Sequence, residues 1–163
     1  MAKQPVVPTK PGVQFILWED LVVIIDDGDG QPSDYEAIRR KFFEQRARFK
    51  AGAGCLTIVP VDAKPPSQPV RKAMSAALES APLRCLCWLV EGAGFQGAMV
   101  RAVITGLRVV GRFPYPTHVT GDLEEAILWI LPKMEGGAER IERAHEAVAA
   151  IRAQREANAL LSP

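Results

Sequence analysis

Val22-Val23-Ile24-Ile25, Cys55-Leu56-Thr57-Ile58-Val59 and Cys85-Leu86-Cys87-Trp88-Leu89-Val90 are short, β-branched-rich runs, apolar at odd and even positions alike. A strand with one wet face alternates apolar and polar residues. A strand covered by helices on both faces need not, because neither face meets water. Between these runs the apolar residues switch to helical spacing. Ser33 and Glu36 have capping-box spacing around Tyr35, Ile38, Phe42 and Phe49. Val70, Met74, Ala77, Leu78 and Ala81 form a second stripe, and Met99, Val103, Ile104 and Leu107 a third. Buried strands alternating with amphipathic helices predict an α/β fold, with a mixed β-sheet of about five strands covered by helices.

Working outward, Val13 to Trp18 and Leu21 to Ile25 flank Glu19-Asp20, which predicts an N-terminal β-hairpin whose turn lacks the usual glycine. Arg112 to Thr120 reads as an edge segment, since Pro114 and Pro116 cannot donate to a ladder. Asp122 and Glu125 cap a fourth helix carrying Leu123, Ile127, Ile130 and Leu131, closed at Pro132. Residues 1–12, with Pro5, Pro8 and Pro11 and little to bury, read as a flexible leader. The α/β domain then covers 13–134. After Gly136-Gly137 comes an extra C-terminal helix, 138–160, with a thin stripe of Ile141, Ala144, Val148 and Ile151 that Arg155 and Asn158 interrupt. Such a helix gains its stability from a partner surface, so it is expected to dock on its own domain or to pair with a second copy in a homodimer.

With 163 residues, 48% hydrophobic and 24% charged, the chain has the composition of one globular domain. A net charge of +1 argues against a nucleic-acid surface. The nearest basic cluster, Arg39, Arg40, Lys41, Arg46, Arg48 and Lys50, is interleaved with Glu44 on one helical stretch and reads as a solvated face. No apolar run approaches the ~20 residues that span a bilayer, and no signal-peptide core follows Met1, so a cytoplasmic location without membrane insertion is expected. Cys55, Cys85 and Cys87 are odd in number and lie in apolar strands, as reduced core thiols do. A zinc site would need a fourth ligand, and His118 and His145 are poorly placed to supply it, so no metal is expected.

The hairpin Phe15-Ile16-Leu17-Trp18-Glu19-Asp20-Leu21-Val22-Val23-Ile24, the strand Leu86 to Val90 feeding a glycine turn and helix, and the close His118-Val119-Thr120-Gly121-Asp122-Leu123-Glu124-Glu125-Ala126-Ile127-Leu128-Trp129-Ile130 occur in that order. Together, across roughly Val13 to Met134, they resemble the STAS domain in its stand-alone, SpoIIAA-like form. The resemblance implies that fold and a non-enzymatic regulatory role through protein–protein binding. In the family's anti-sigma-factor antagonists, a phosphorylatable serine sits in an Asp-Ser-Ser/Thr-Gly loop before a helix. The matching loop here is Val61-Asp62-Ala63-Lys64-Pro65-Pro66-Ser67-Gln68. Ser67 stands near the phosphorylation position, but the Asp-Ser pair and the glycine are missing. As a plain reading, Ser67 is a helix N-cap worth about 1 kcal/mol.

Two loops carry the binding candidates. Gly92-Ala93-Gly94-Phe95-Gln96-Gly97 matches G-x-G-x-x-G between a strand and a helix, where amides could hold a phosphate. It lies in the third βα unit, and Thr117 and His118 stand where a dinucleotide fold wants an acid, with Glu91 beside the loop. A nucleotide- or phosphorylated-metabolite-binding module built on Gly92, Gly94 and Gly97 is therefore the alternative reading. A second alternative is a degenerate receiver-like signalling domain, with Asp26, Asp27, Asp62 and Glu91 at strand ends. No catalytic set is complete: neither serine nor cysteine has an evident base, and no cofactor motif is whole. The leading expectation is a non-enzymatic regulatory or scaffolding domain with a protein partner.

Overall fold

In the computed structural model, which describes residues 13–92 and 94–161, β1 (Val13–Trp18) and β2 (Leu21–Asp26) form the antiparallel hairpin. The proposed leader lies outside the described residues. Without glycine in the turn, Glu19 adopts a left-handed φ of +52°, a conformation costing of order 1 kcal/mol for a side chain with a Cβ. That cost is offset from outside the hairpin. Arg140 donates to Glu19 at 2.7 Å and also to Asp20, Arg143 donates to Glu19 at 2.6 Å, and both guanidinium groups lie over the Trp18 ring.

From β2 the chain proceeds through α1 (Pro32–Arg48), β3 (Ala53–Val59), α2 (Gln68–Ser80), β4 (Leu83–Val90), α3 (Phe95–Val110), β5 (Thr117–Thr120) and α4 (Leu123–Ile130). The five strands lie in sequence order, β2 to β5 all parallel. Parallel crossovers are right-handed almost without exception, so strands added in one direction carry their helices on one face. Accordingly Val22, Ile24, Cys55, Leu86 and Trp88 pack under α1, α2 and α3. The opposite side chains of the same strands, Leu21, Val23, Leu56, Ile58, Cys85, Cys87 and Leu89, pack under α4 and the C-terminal segment. That double burial is why these strands show no alternation.

The C-terminal segment departs from a single helix over 138–160. Residues Gly137–Arg143 form a 3-10 helix, and α5 runs from Ala144 to Leu161. Ile141 is 39% exposed and leaves the stripe, because its neighbours Arg140 and Arg143 are turned to the hairpin. Ala147, Val148 and Ile151 are buried within the chain, together with Ile127, Ile130 and Leu131. The stripe read as a dimer seam is thus covered by the chain's own hairpin and α4. Arg155 and Asn158, read as interruptions, are fasteners: Arg155 grips Glu91, and Asn158 donates to Gln14 at 3.0 Å.

Two smaller readings are corrected. The first turn of α1 is closed by Asp34, which accepts from the Gln31 amide at 2.7 Å, so capping falls at Gln31 and Asp34 instead of Ser33 and Glu36. Among the described side chains of α3, Val100 and Ile104 are buried, while Met99 is 39% exposed. Asp122 caps α4 as expected, accepting from the Glu125 amide at 2.8 Å. Among the described residues, no helix is long and apolar enough to cross a membrane.

Candidate functional site

Parallel strands end together at their carboxyl edge, where α/β sheets place ligands. The last residue of β2, Asp26, continues the parity of Val22 and Ile24 and turns its side chain under α1. Its carboxylate is held on both oxygens, Oδ1 by the Gly28 amide at 3.0 Å and Oδ2 by the Tyr35 hydroxyl. Burial pushes the carboxyl above the usual carboxylate range. The two hydrogen bonds oppose that shift, and the nearby Asp27 and Asp34 add to it. Burial and the adjacent carboxylate also push the Tyr35 phenol up, so it remains a donor.

Next to this pair the helices leave a two-lobed cleft. The larger lobe has a cavity volume of about 40 Å³, with Val59, Trp88, Val100, Val103, Ile104 and Leu107 among its walls and Gly28, Lys64 and Pro66 at the rim. The smaller, about 20 Å³, runs under Tyr35, Ile38 and Leu78. Asp26, Thr57, Met74 and Trp88 border both lobes. Thr57 is 7% exposed, and among the described residues its hydroxyl reaches only Cys55 Sγ, at 4.0 Å. The rim is stitched by main chain: Lys64 N donates to Asp27 O at 3.1 Å, and a Cβ on Gly28 would lie 2.1 Å from Lys64 O. With φ at +84°, Gly28 is required there twice over. The Lys64 ammonium is turned outward onto exposed Asp29 at 3.0 Å.

The other acidic candidates share the edge without converging. Asp27 accepts from the Asp29 amide at 2.9 Å, closing its own turn. Asp62 is exposed. Glu91 points to the opposite face, where Arg155 binds both its oxygens at 2.6 and 2.9 Å. Among the described residues no three His, Cys, Asp or Glu side chains form a group that could hold a metal ion. Sequence proximity to strand ends placed these acids at one edge, and the parity of each strand then sent them to different faces.

The glycine turn is shaped by its own backbone. Gly92 and Gly94 have φ of +98° and +88°, and Gly94 is the N-cap of α3. A Cβ on Gly97 would lie 2.6 Å from Gly92 O, so the carbonyl of Gly92 crowds the first turn of the helix. A carbonyl oxygen in that place presents negative potential where a phosphate would need amides. Ser67 occupies the N-cap position of α2, exposed and without a side-chain capping bond.

The nucleophile candidates are quiet. Burial pushes the Cys85 thiol up to about 11 and Cys87 to about 12, and raises Cys55 further, away from reactive thiolate. His118 stacks on Trp129 with ring centroids 5.1 Å apart and meets Glu125 at 3.2 Å. The Thr120 hydroxyl, and then His118, hold the Glu125 carboxyl below its ordinary value. His145 is exposed on α5.

Sequence reasoning missed Tyr35 and Thr57, each assigned to an apolar layer. A tyrosine nine residues after a strand-terminal aspartate, in the first turn of the next helix, was the available signal for the first. No protein-family model matches the chain, and comparison with curated proteins and with solved structures finds no match.

Proposed function

We propose that the chain is a STAS-like, non-enzymatic regulatory or scaffolding domain that binds a protein partner through the face made by α2 and α3. The observation that carries this reading is the groove between those helices. Small residues, Ala76, Ala102 and Gly106, line it and are too short to close it, so Met99, Val103 and Leu107 stay in reach of solvent beneath Arg71 and Lys72. An apolar floor rimmed by Arg71, Lys72 and Glu79 suits the apolar face of an amphipathic helix, with acidic flanks toward the two cations. Buried thiols and a histidine engaged with Trp129 and Glu125 support a binding role over nucleophilic chemistry. Ser67, at the N-terminus of α2 beside this groove, is exposed as a modifiable residue must be.

Selection of helical peptides on the full chain tests the reading, with Met99→Asp and Leu107→Asp as paired variants. Acidic amphipathic binders that lose affinity for both variants support it. Binders indifferent to both overturn it. So does turnover of generic ester, phosphate or nicotinamide substrates that disappears in His118→Ala or Glu91→Gln.

A further inference from the structure

The sheet has two edges, and only one of them is guarded. The Gly54 amide donates to Asp20 O, so the main chain of Asp20, Val22 and Ile24 serves β3, and that of Leu21, Val23 and Ile25 serves β1. Across the β1–β2 ladder stand Trp18, Ile16 and Gln14, which leaves the N–H and C=O groups of Val13, Phe15 and Leu17 directed outward. Among the described residues no hydrogen bond is made to those outward groups. At the other edge, Leu86 N donates to Pro116 O, and the same parity turns Thr117 and Val119 outward. That edge is blunted: β5 is four residues long, follows Pro114 and Pro116, and its Thr117 O accepts from the Arg108 guanidinium at 3.3 Å. β1 is six residues long, with no proline and no charged side chain. Lys41 lies over the Phe15 ring on the α1 face of the sheet, beside the edge and not across it.

We propose that this open edge joins two copies of the chain, β1 against β1 and antiparallel, about a two-fold axis perpendicular to the sheet at Ile16. With that axis each side chain meets one from its own layer, and Phe15 of one copy exchanges both main-chain hydrogen bonds with Leu17 of the other. The same rotation carries α5 to α5. Arg143 at the hairpin turn and Asn158 at Gln14 hold α5 along β1. Its Arg152 reaches Glu124 of α4 at 3.3 Å, so at about 3.6 residues per turn the exposed Ala150 and Ala157 lie on the other flank, toward the open edge. Side chains this short let two helices approach closely. Area decides between a second copy and a free peptide. α5 is ~27 Å long, and a helix layer and a sheet layer together stand about 20 Å high. Such a strip covers roughly 500 Å² per copy, or about 1,000 Å² in all, the threshold of a specific interface. A lone extended peptide covers the β1 layer and leaves the α5 flank bare.

Sedimentation equilibrium of the full chain is expected to give twice the one-chain mass, with a dissociation constant of about 1–100 µM for so small an interface. Ala150→Glu together with Ala157→Glu returns the one-chain mass, while far-ultraviolet circular dichroism is unchanged because both positions are exposed. Residue-resolved hydrogen exchange reads the strand itself. The Phe15 and Leu17 amides are protected at high concentration and exchange about tenfold faster or more on dilution to the monomer. The Ile16 amide, bonded to β2, is protected at both concentrations and serves as the internal control. A one-chain mass at about 1 mM, a dimer that survives the paired glutamates, or Phe15 exchange that ignores concentration overturns the proposal. If the double variant does not fold, mass and exchange of the native chain still decide. Peptide binding at Met99 and Leu107 involves neither β1 nor α5, so the two proposals stand or fall separately.

Discussion

One face of the sheet is sealed and the other is ajar. Under α4 and α5, Ile127, Ile130, Leu131 and Ile151 have no exposure, and Arg140 and Arg155 fasten the segment at opposite ends of the strands. Under α1, α2 and α3, Met74, Val103 and Leu107 are only half-buried, and the cleft reaches a charged side chain. Both faces are built from the same strands, whose alternate residues are equally apolar. The difference lies in what covers them: large aliphatic side chains on one side, and on the other α2 and α3, which stand apart over a groove lined by Ala76, Ala102 and Gly106. Close packing is the condition for a stable core, and its local absence is the condition for binding. The fold concentrates fully buried aliphatic side chains on the face where Arg155 clasps Glu91, and places the Asp26 cleft on the other.

Removing residues 137–163 is the harshest way to break that contrast. It exposes Ile151, Val148 and the strand residues beneath, at about 1.5–3 kcal/mol per large aliphatic side chain, against a typical total stability of ~5–15 kcal/mol. Loss of the cooperative thermal transition in circular dichroism is expected. A truncated chain that still melts sharply would mean that α5 is dispensable to the core. A gentler version compares two side-chain truncations in urea. Ile151→Ala on the sealed face should cost about 3 kcal/mol, and Met74→Ala at the cleft about 1 kcal/mol, because Met74 already borders empty space. Equal costs would erase the distinction between the faces.

The ion pairs sharpen it further. Arg140→Ala leaves Asp20, 7% exposed, without its cation and releases the strained Glu19 turn, for an expected loss of about 2 kcal/mol. Lys64→Ala at the cleft rim breaks a pair exposed at both ends and should change urea stability by no more than about 0.5 kcal/mol.

The smallest effect is a pH dependence. Asp26 has a raised folded-state pKa, so between its unfolded value of about 3.9 and that raised value the native state holds the proton and the unfolded state does not. Stability from this group therefore falls as pH rises through the window and is recovered on acidification. The native chain should gain on Asp26→Asn as pH is lowered toward 4, in paired denaturation curves. A gap that widens against the native chain would place Asp26 in a better-compensated site than the cleft describes.

Much of this fold was legible in the chain. Unalternating strands meant two covered faces, and the spacings of Tyr35–Phe42, Val70–Leu78 and Ile127–Leu131 located three of the helices that cover them. The candidate site was legible as a place and not as a set. Asp26, Asp62, Glu91 and the glycine turn all fall at the carboxyl edge, but neither the pairing of Asp26 with Tyr35 nor the empty space beside Thr57 leaves a periodic trace. Arg155 shows the limit well. On a helical wheel it interrupts a hydrophobic seam, and only the position of Glu91, 64 residues earlier, turns it into a clasp. Local spacing by itself determined which residues are strand and helix and which side chains must hide from water, because those follow from periods of two and 3.6 along one segment. Which face each acid joined, where the core was left unfilled, and whether the last helix would meet its own domain were decided only in the tertiary structure. They depend on contacts between residues far apart in the chain, and on the volumes of side chains that meet only after the sheet has formed.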